Sequence, residues 1–477
     1  MKRRTFIKGT SVAAMAVALG IPWNLFSKGK KLNIVVLLAD DQRFDTINAL
    51  GNKDIRTPNL DFLVKNGTAF TQAHVMGGLS GAICQPSRAM ILTGRTLFDI
   101  DRQARDNQDF SFDVFNNYIT FPELLRNNGY ATIGIGKQHN GPQVYSRAFT
   151  DGAKIFFGGM SDQYKIPHQD FAGDGKYPTE RMYYSEGKHS AEIYTDETIH
   201  FINKYKSEPF LIYTAFQSPH DPRTCPKEFI HLYDEKKLKL PPNFLPQHPF
   251  DIGSLKVRDE LLAGFPRTEE EVRKHLRDYY AIISHLDHQV GRIIKSIKDN
   301  GLEENTLVVF AGDNGLAVGQ HGLLGKQNLY EHSNRVPLLF WGAGIPKNKQ
   351  VDGLCYLSDI FPTIASQAEI NIPESVQGIS LTEGFKNSNA PLRPSLYFVY
   401  KHFQRGVKKD GFKLIEYNVD GVRHTQLFDL KKDPWEMVNH ADNPAYQTIK
   451  KDLKQELLTL KVKYNDNFST FWKGYDS

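Results

Sequence analysis

Residues 31–39 read Lys-Leu-Asn-Ile-Val-Val-Leu-Leu-Ala and run straight into Asp40-Asp41. A continuous apolar stretch of this length, without alternation, fits a strand covered on both faces, as in a parallel sheet. Thr57-Pro58 then supplies an N-cap and a first-turn proline for a helix ending near Gly67. A second helix is expected from Pro86 through Leu92 to Gly94, leaving Cys84 at its N-terminal edge. A third spans 120–128, with Pro122 near its start and Gly129 after its end, and leads into a strand over 131–135. Further strand-length apolar runs lie at 210–216, 307–311 and 338–341. A long helix over 269–298 carries Leu276, Tyr279, Tyr280, Ile283, Leu286 and Val290 at helical spacing. This alternation predicts an α/β fold, a large doubly wound, mostly parallel sheet flanked by helices. After Leu381 short antiparallel strands are expected at 396–400, 412–417 and 425–430, then a helix over 444–464. The expected organisation is therefore an N-terminal segment over 1–30 outside the fold, a main α/β domain over 31–385, and a smaller C-terminal α+β subdomain over 386–477.

The formal net charge is +5, with Lys and Arg dispersed rather than blocked, which gives no basis for nucleic-acid binding and is compatible with anionic substrates. At the N-terminus, Lys2-Arg3-Arg4-Thr5-Phe6-Ile7-Lys8 is basic with a twin-arginine pattern, and an apolar run over 12–23 follows. That run is short for a membrane span. It reads as an export leader, with an uncleaved anchor as the alternative; the export machinery is then a partner and the periplasm the expected location. Three cysteines, Cys84, Cys225 and Cys355, cannot build a disulfide framework, and nothing pairs the last two.

Open α/β sheets place their sites beyond the carboxyl ends of strands, and the acidic pairs fall there. Asp40-Asp41 follows the first strand, and Asp313-Asn314 follows the strand at 307–311. Three carboxylates and an amide offer only oxygen ligands, which suits Ca²⁺ or Mg²⁺ rather than zinc and does not separate the two. Gly136-Lys137-Gln138-His139 follows a third strand, and Ser218-Pro219-His220-Asp221-Pro222 a fourth. Gly319-Gln320-His321-Gly322-Leu323-Leu324-Gly325-Lys326 follows the second acidic pair. His285 and His288, on the long helix, read as structural or exposed.

Cys84-Gln85-Pro86-Ser87-Arg88, continued to Leu92-Thr93-Gly94-Arg95, resembles the maturation signature of the type I sulfatases, of the alkaline phosphatase-like superfamily. The Lys137/His139, His220 and His321/Lys326 elements resemble that family's G-K-x-H, P-H-x-P and H-G-x-x-x-K motifs, with Gln138 where Trp is commoner. The run 428–436 resembles its C-terminal D-P-x-E element. The resemblance implies that a sulfatase-maturating enzyme oxidises Cys84 to formylglycine, whose hydrate is the nucleophile. It implies that Asp40, Asp41, Asp313 and Asn314 bind one calcium together with an oxygen at position 84. Arg88, Lys137 and Lys326 then supply positive charge, His220 with Lys326 protonates the leaving oxygen, and His139 removes the proton that expels sulfate. His321 either touches the substrate or braces its loop.

Residues 140–190 are rich in Tyr, Asp, His and Gly, a composition suited to a carbohydrate pocket. Together with Gly136 to Gly141 and Phe156-Phe157-Gly158-Gly159-Met160, they resemble bacterial sulfatases acting on sulfated polysaccharides. A sulfated oligosaccharide from ulvan or carrageenan is the expected substrate. The alternatives are a choline or aryl sulfatase, a phosphonate monoester hydrolase, and a non-catalytic relative that binds sulfated glycans.

Overall fold

In a computed structural model, which describes residues 31–100, 118–467 and 470–475, the opening apolar run forms strand β1, Asn33–Ala39, buried at every position. The leader expected over 1–30 lies outside the described residues. Seven more strands complete the main sheet: β2 (Thr68–Phe70), β3 (Ala131–Lys137), β4 (Asp151–Phe156), β5 (Phe210–Ala215), β6 (Thr306–Gly312), β7 (Leu338–Gly342) and β8 (Lys349–Val351), in the order β8-β2-β7-β6-β1-β5-β3-β4. Only β7 runs antiparallel to its neighbours; the remaining pairs are parallel.

Successive strand residues point to opposite faces, and both faces are covered. Val35, Leu37 and Ala39 pack toward residues of α1 (Pro58–Asn66), α4 (Ser190–Tyr205) and α5 (Glu269–Asp299). Ile34, Val36 and Leu38 join a second core with α2 (Cys84–Thr93), α3 (Phe121–Asn127) and the C-terminal strands.

Those strands are β9 (Ser395–Tyr400), β10 (Gln404–Lys409), β11 (Phe412–Val419) and β12 (Val422–Asp429), an antiparallel meander followed by α6 (Gln447–Lys463). The sheet also takes in the two-residue strand Gly77–Gly78, which pairs parallel with β9. The residues after 385 therefore share a core with the main sheet. β10 is absent from the sequence expectation because Gln-Arg-Gly-Val-Lys-Lys carries no apolar pattern. Its Arg405 is buried against Asp466 at 3.1 Å and its Lys408 against Glu331 at 2.6 Å, so paired charge replaces the hydrophobic signal.

Two local expectations need correction. Helix α2 begins at Cys84 itself, two residues ahead of Pro86, because a proline in the first turn lacks only an N–H that has no intrahelical acceptor. Thr57 precedes α1 without capping it; its hydroxyl instead accepts from Asn48 N at 2.9 Å and donates to Asp61 at 3.2 Å.

Candidate active site

Strand register assembles the acidic residues. Ala39 of β1 lies opposite Gly312 of β6, and Leu38 opposite Ala215 of β5. Asp313 N donates to Ala39 O at 2.9 Å and Asp40 N to Ser218 O at 3.0 Å, so the chains leaving three central strands are tied together just beyond their carboxyl ends. On the far side of β5, strand β3 turns at Gly136, whose φ is +80° and where a Cβ would lie 2.2 Å from Ala215 O. That turn delivers Lys137 and His139. Asp41 and His139 both hold left-handed backbone, φ 67° and 58°, a strained conformation of the kind that clusters at functional sites.

Helix α2 brings in the cysteine and the arginine. Cys84 is its first residue and Arg88 lies one turn on, along the same face. Cys84 Sγ lies 3.3 Å from His139 Nδ1. Arg88 Nε donates to Asp313 Oδ2 at 2.8 Å, and Arg88 Nη1 to Lys137 O. Lys137 Nζ bonds Asp40, and Lys326 Nζ donates to Asp41 Oδ1 at 2.6 Å. His220 Nε2 stands 3.6 Å from Asp41 Oδ2. The structure thus gathers Asp40, Asp41, Cys84, Arg88, Lys137, His139, His220, Asp313, Asn314 and Lys326 at one end of the sheet.

His321 is directed elsewhere. Its ring stacks on Tyr330 with centroids 4.0 Å apart, and its Nε2 lies 3.0 Å from Asn243 Nδ2, contacts that brace the loop. Two further residues contribute that no motif reading assigned. Ser87 Oγ donates to Asp313 O, and Tyr279 OH donates to Asp41 O at 2.6 Å while accepting from Arg43 N at 3.0 Å. Ser87 sits inside the cysteine motif; Tyr279 looks like an ordinary core position of α5, and only the tertiary structure reveals its partner. His285 is buried and His288 exposed.

Arg88, Lys137 and Lys326 already pair with the carboxylates, so it is unsatisfied oxygens rather than net charge that fit a hard cation. Burial opposes ionisation of Asp40, yet Lys137, then His220, Arg88 and Lys326 hold its carboxyl far below the usual range. Burial, then the charge of Asp40, pushes Asp313 up to about 7. Asp40 Oδ1 and Asn314 Oδ1 are buried without a hydrogen-bond partner, and one ligand atom each from Asp40, Asp41 and His220 lies within 4.8 Å of the others. Orphaned buried oxygens beside a carboxyl that resists ionising are what a divalent ion would satisfy. Burial raises the Cys84 thiol and outweighs the opposing charges of Lys137 and Lys326, so the thiolate is disfavoured. Burial, then Lys137 and Arg88, keep the His139 imidazole well below its ordinary pKa and hence neutral.

Comparison with known proteins decides the family, since the profile described as "Sulfatase" matches residues 32–370, most of the chain. The chain belongs to the sulfatase family. A second profile, "N-sulphoglucosamine sulphohydrolase, C-terminal", matches residues 319–463. This sulfatase is 26% identical to an N-acetylglucosamine-6-O-sulfatase of Bacteroides thetaiotaomicron over 92% of its own length and 88% of the relative's. It is also 26% identical to an ulvan-active sulfatase of Formosa agariphila, covering 92% and 83% of the two chains. A solved structure in complex with its substrate D-glucosamine-2-N,6-O-disulfate superposes with a TM-score of 0.77 at 24% identity, covering 92% of this chain and 99% of that one, and shares the fold. The enzyme is accordingly a sulfuric ester hydrolase.

The segment after β4 closes over the sulfatase site. Gln163 Nε2 donates to His220 O at 3.0 Å, Gln217 bonds Ser161 O, and Gly159 faces the outer edge of His139. Phe156, the last residue of β4, is buried, and Phe157 packs edge-on against Tyr177 and Tyr145 at 5.1 and 5.8 Å, whereas Tyr184 is exposed. A Cβ on Gly159 would lie 2.9 Å from His139 Nε2, closer than such contacts occur. Gly159→Ala is therefore expected to displace the imidazole and lower kcat about tenfold. The melting temperature should barely change, because the loop is part-exposed. Unchanged kcat, by steady-state assay, would show that Gly159 does not set the ring.

Proposed function

We propose that this sulfatase hydrolyses sulfate esters of saccharides through a formylglycine formed at Cys84, with calcium held by Asp40, Asp41, Asp313 and Asn314. The observation that carries the reading is the convergence of Cys84 and His139, 3.3 Å apart, with Arg88, Lys137 and Lys326 on the buried carboxylates. Calcium, when bound, supplies divalent charge against the sulfuryl oxygens. Formylglycine supplies paired hydroxyls where a buried, unactivated thiol would be a poor nucleophile. Arg88, anchored on Asp313, orients the group at position 84. Lys137 and Lys326 add the positive charge that an anionic sulfuryl group requires. His220 is assigned to the leaving oxygen, since its Nδ1 lies 2.7 Å from Asp221 O, which directs Nε2 toward the cleft. His139, neutral and with Nδ1 facing position 84, is placed to accept a proton from an oxygen there.

Among saccharides, algal ulvan or carrageenan fragments remain the first reading, and the name of the Formosa relative favours ulvan. Sulfated glucosamine is the second, favoured by the name of the Bacteroides relative and by the C-terminal profile. The N-terminal leader makes the enzyme an exported, periplasmic one, matured by a sulfatase-maturating enzyme. The test is sulfate release by protein whose Cys84 conversion is verified by mass. The panel comprises ulvan, carrageenan, fucoidan and glycosaminoglycan oligosaccharides, with choline sulfate as the non-sugar control. Release from one saccharide class is expected; release from choline sulfate alone would overturn the saccharide assignment.

A further inference from the structure

The loops carrying His220 and Lys326 approach the cleft from different strands, yet both side chains converge on Asp41, at 3.6 and 2.6 Å. One short helical turn, Arg258–Leu262, touches both loops. Arg258 makes a two-pronged pair with Asp221, the residue after His220, at 2.5 and 2.9 Å. Arg258 also pairs with Asp259 at 2.7 Å. Asp259 accepts from Gln327 Nε2 at 2.8 Å, and Gln327 Oε1 accepts from Lys326 N at 3.0 Å. Glu260 accepts from Leu324 N and Gly325 N, at 2.9 and 2.8 Å, directly before Lys326. The carboxylate of Glu260 is buried and is neutralised by buried Arg267 at 2.7 Å, and Arg267 Nε reaches back to Gly322 O at 3.3 Å. A Cβ at Gly325 would lie 2.7 Å from Glu260 Oε1, so loop and carboxylate fit closely.

A buried ion pair is a weak source of stability, since desolvation cancels most of its attraction, whereas its directed hydrogen bonds fix geometry. We propose that Arg258, Asp259 and Glu260, with Arg267, form a positioning element that holds His220 and Lys326 together as the proton-delivering pair for the departing oxygen. This rests on the leaving-group role given to those two residues above. Arg258 and Glu260 touch the loops through Asp221 and through the amides of Leu324 and Gly325, not the His220 and Lys326 side chains themselves, so they act as positioning residues.

The test uses the matured full-length enzyme and aryl sulfates graded by the acidity of the phenol released, from 4-nitrophenyl to phenyl sulfate. Proton delivery matters most for a poor leaving group. Arg258→Gln and Glu260→Gln are expected to lower kcat on phenyl sulfate about 10- to 100-fold and on 4-nitrophenyl sulfate by less than about threefold, with KM little changed. Arg258→Lys, which keeps the charge facing Asp221, should recover most of the loss. Arg258 is half-exposed, so its variants remain informative if removing Glu260 disturbs folding. Equal losses at both ends of the series, or none, would overturn the proposal. His220→Ala measured alongside separates the two levels. A steep leaving-group dependence there with flat behaviour in the Arg258 and Glu260 variants removes only the positioning element. Flat behaviour in His220→Ala removes the leaving-group role itself, and the positioning proposal with it.

Discussion

Cys84→Ala is expected to eliminate sulfate release, a loss of more than about 10⁴-fold in kcat, while the protein folds and melts almost as the parent does. The change removes one sulfur atom from the first residue of α2, where Gly94 ends the helix and Met90, Ile91 and Leu92 anchor it in the core. Loss of so small a buried group costs on the order of 1 kcal/mol, a small fraction of a domain's stability. Catalytically the same atom faces His139 Nδ1 at 3.3 Å, with Arg88 one turn on tied to Asp313. Cys84→Ser sharpens the result. Serine supplies one hydroxyl in place of a geminal pair, so it lacks the second proton that His139 would remove, and turnover should stay as low as in the alanine variant. Near-normal sulfate release from either variant would exclude position 84 as the nucleophile. A fall in melting temperature large enough to unfold the alanine variant would instead assign Cys84 to packing.

How far the sequence reports this site depends on where its information is stored. Strand-end placement is local: an apolar run followed by Asp40-Asp41 or Asp313-Asn314 marks both the strand and its carboxyl end, and the structure puts these residues side by side because the register of β1 on β6 is continuous. The cysteine and lysine motifs are local in the same way. What sequence cannot report is a partner chosen across the fold. Tyr279 has the spacing of a core residue yet bonds Asp41 O, from 238 positions away. Glu260, in a polar stretch without pattern, bonds the amides before Lys326 from 64 and 65 positions away. Strand β10 is hidden for the related reason that its buried positions are charges paired at long range. The aromatic content of 140–190 divides in a way that composition does not show, since Phe157 and Tyr177 pack on each other and on Tyr145 while Tyr184 stands exposed. Local pattern thus locates the reacting groups, and long-range polar contacts, invisible to it, orient them.

Chelation is expected to abolish sulfate release and to destabilise the protein increasingly as the pH is raised, with calcium reversing both. The pH dependence follows from Asp313, whose ordinary value of 3.8 is pushed up to about 7 in the folded protein by burial and by Asp40. Below about pH 4 both folded and unfolded chains carry the proton. Between about 4 and 7 the unfolded chain has released it while the folded chain retains it, so rising pH favours unfolding. Asp40 adds little slope in this window, because its folded value and its ordinary value of 3.8 both lie below it. Other buried groups do titrate there: Asp287 is pushed up to about 6 and Glu436 to about 7 by burial, and the buried histidines resist protonation as the pH falls. These groups act with or without the ion, so they cancel in the difference between calcium-loaded and chelated protein. That difference in melting temperature should therefore grow as the pH rises toward about 7 and then level off. At a thousandfold excess over Kd it corresponds to about 4 kcal/mol. Calorimetry near pH 5.5, in the middle of the window, should find about one proton released per calcium bound. Asp313→Asn removes the titrating group and should flatten the difference curve along with its height. A calcium increment that is large but independent of pH would mean that Asp313 is ionised before the ion arrives, and that Arg88 at 2.8 Å already compensates it.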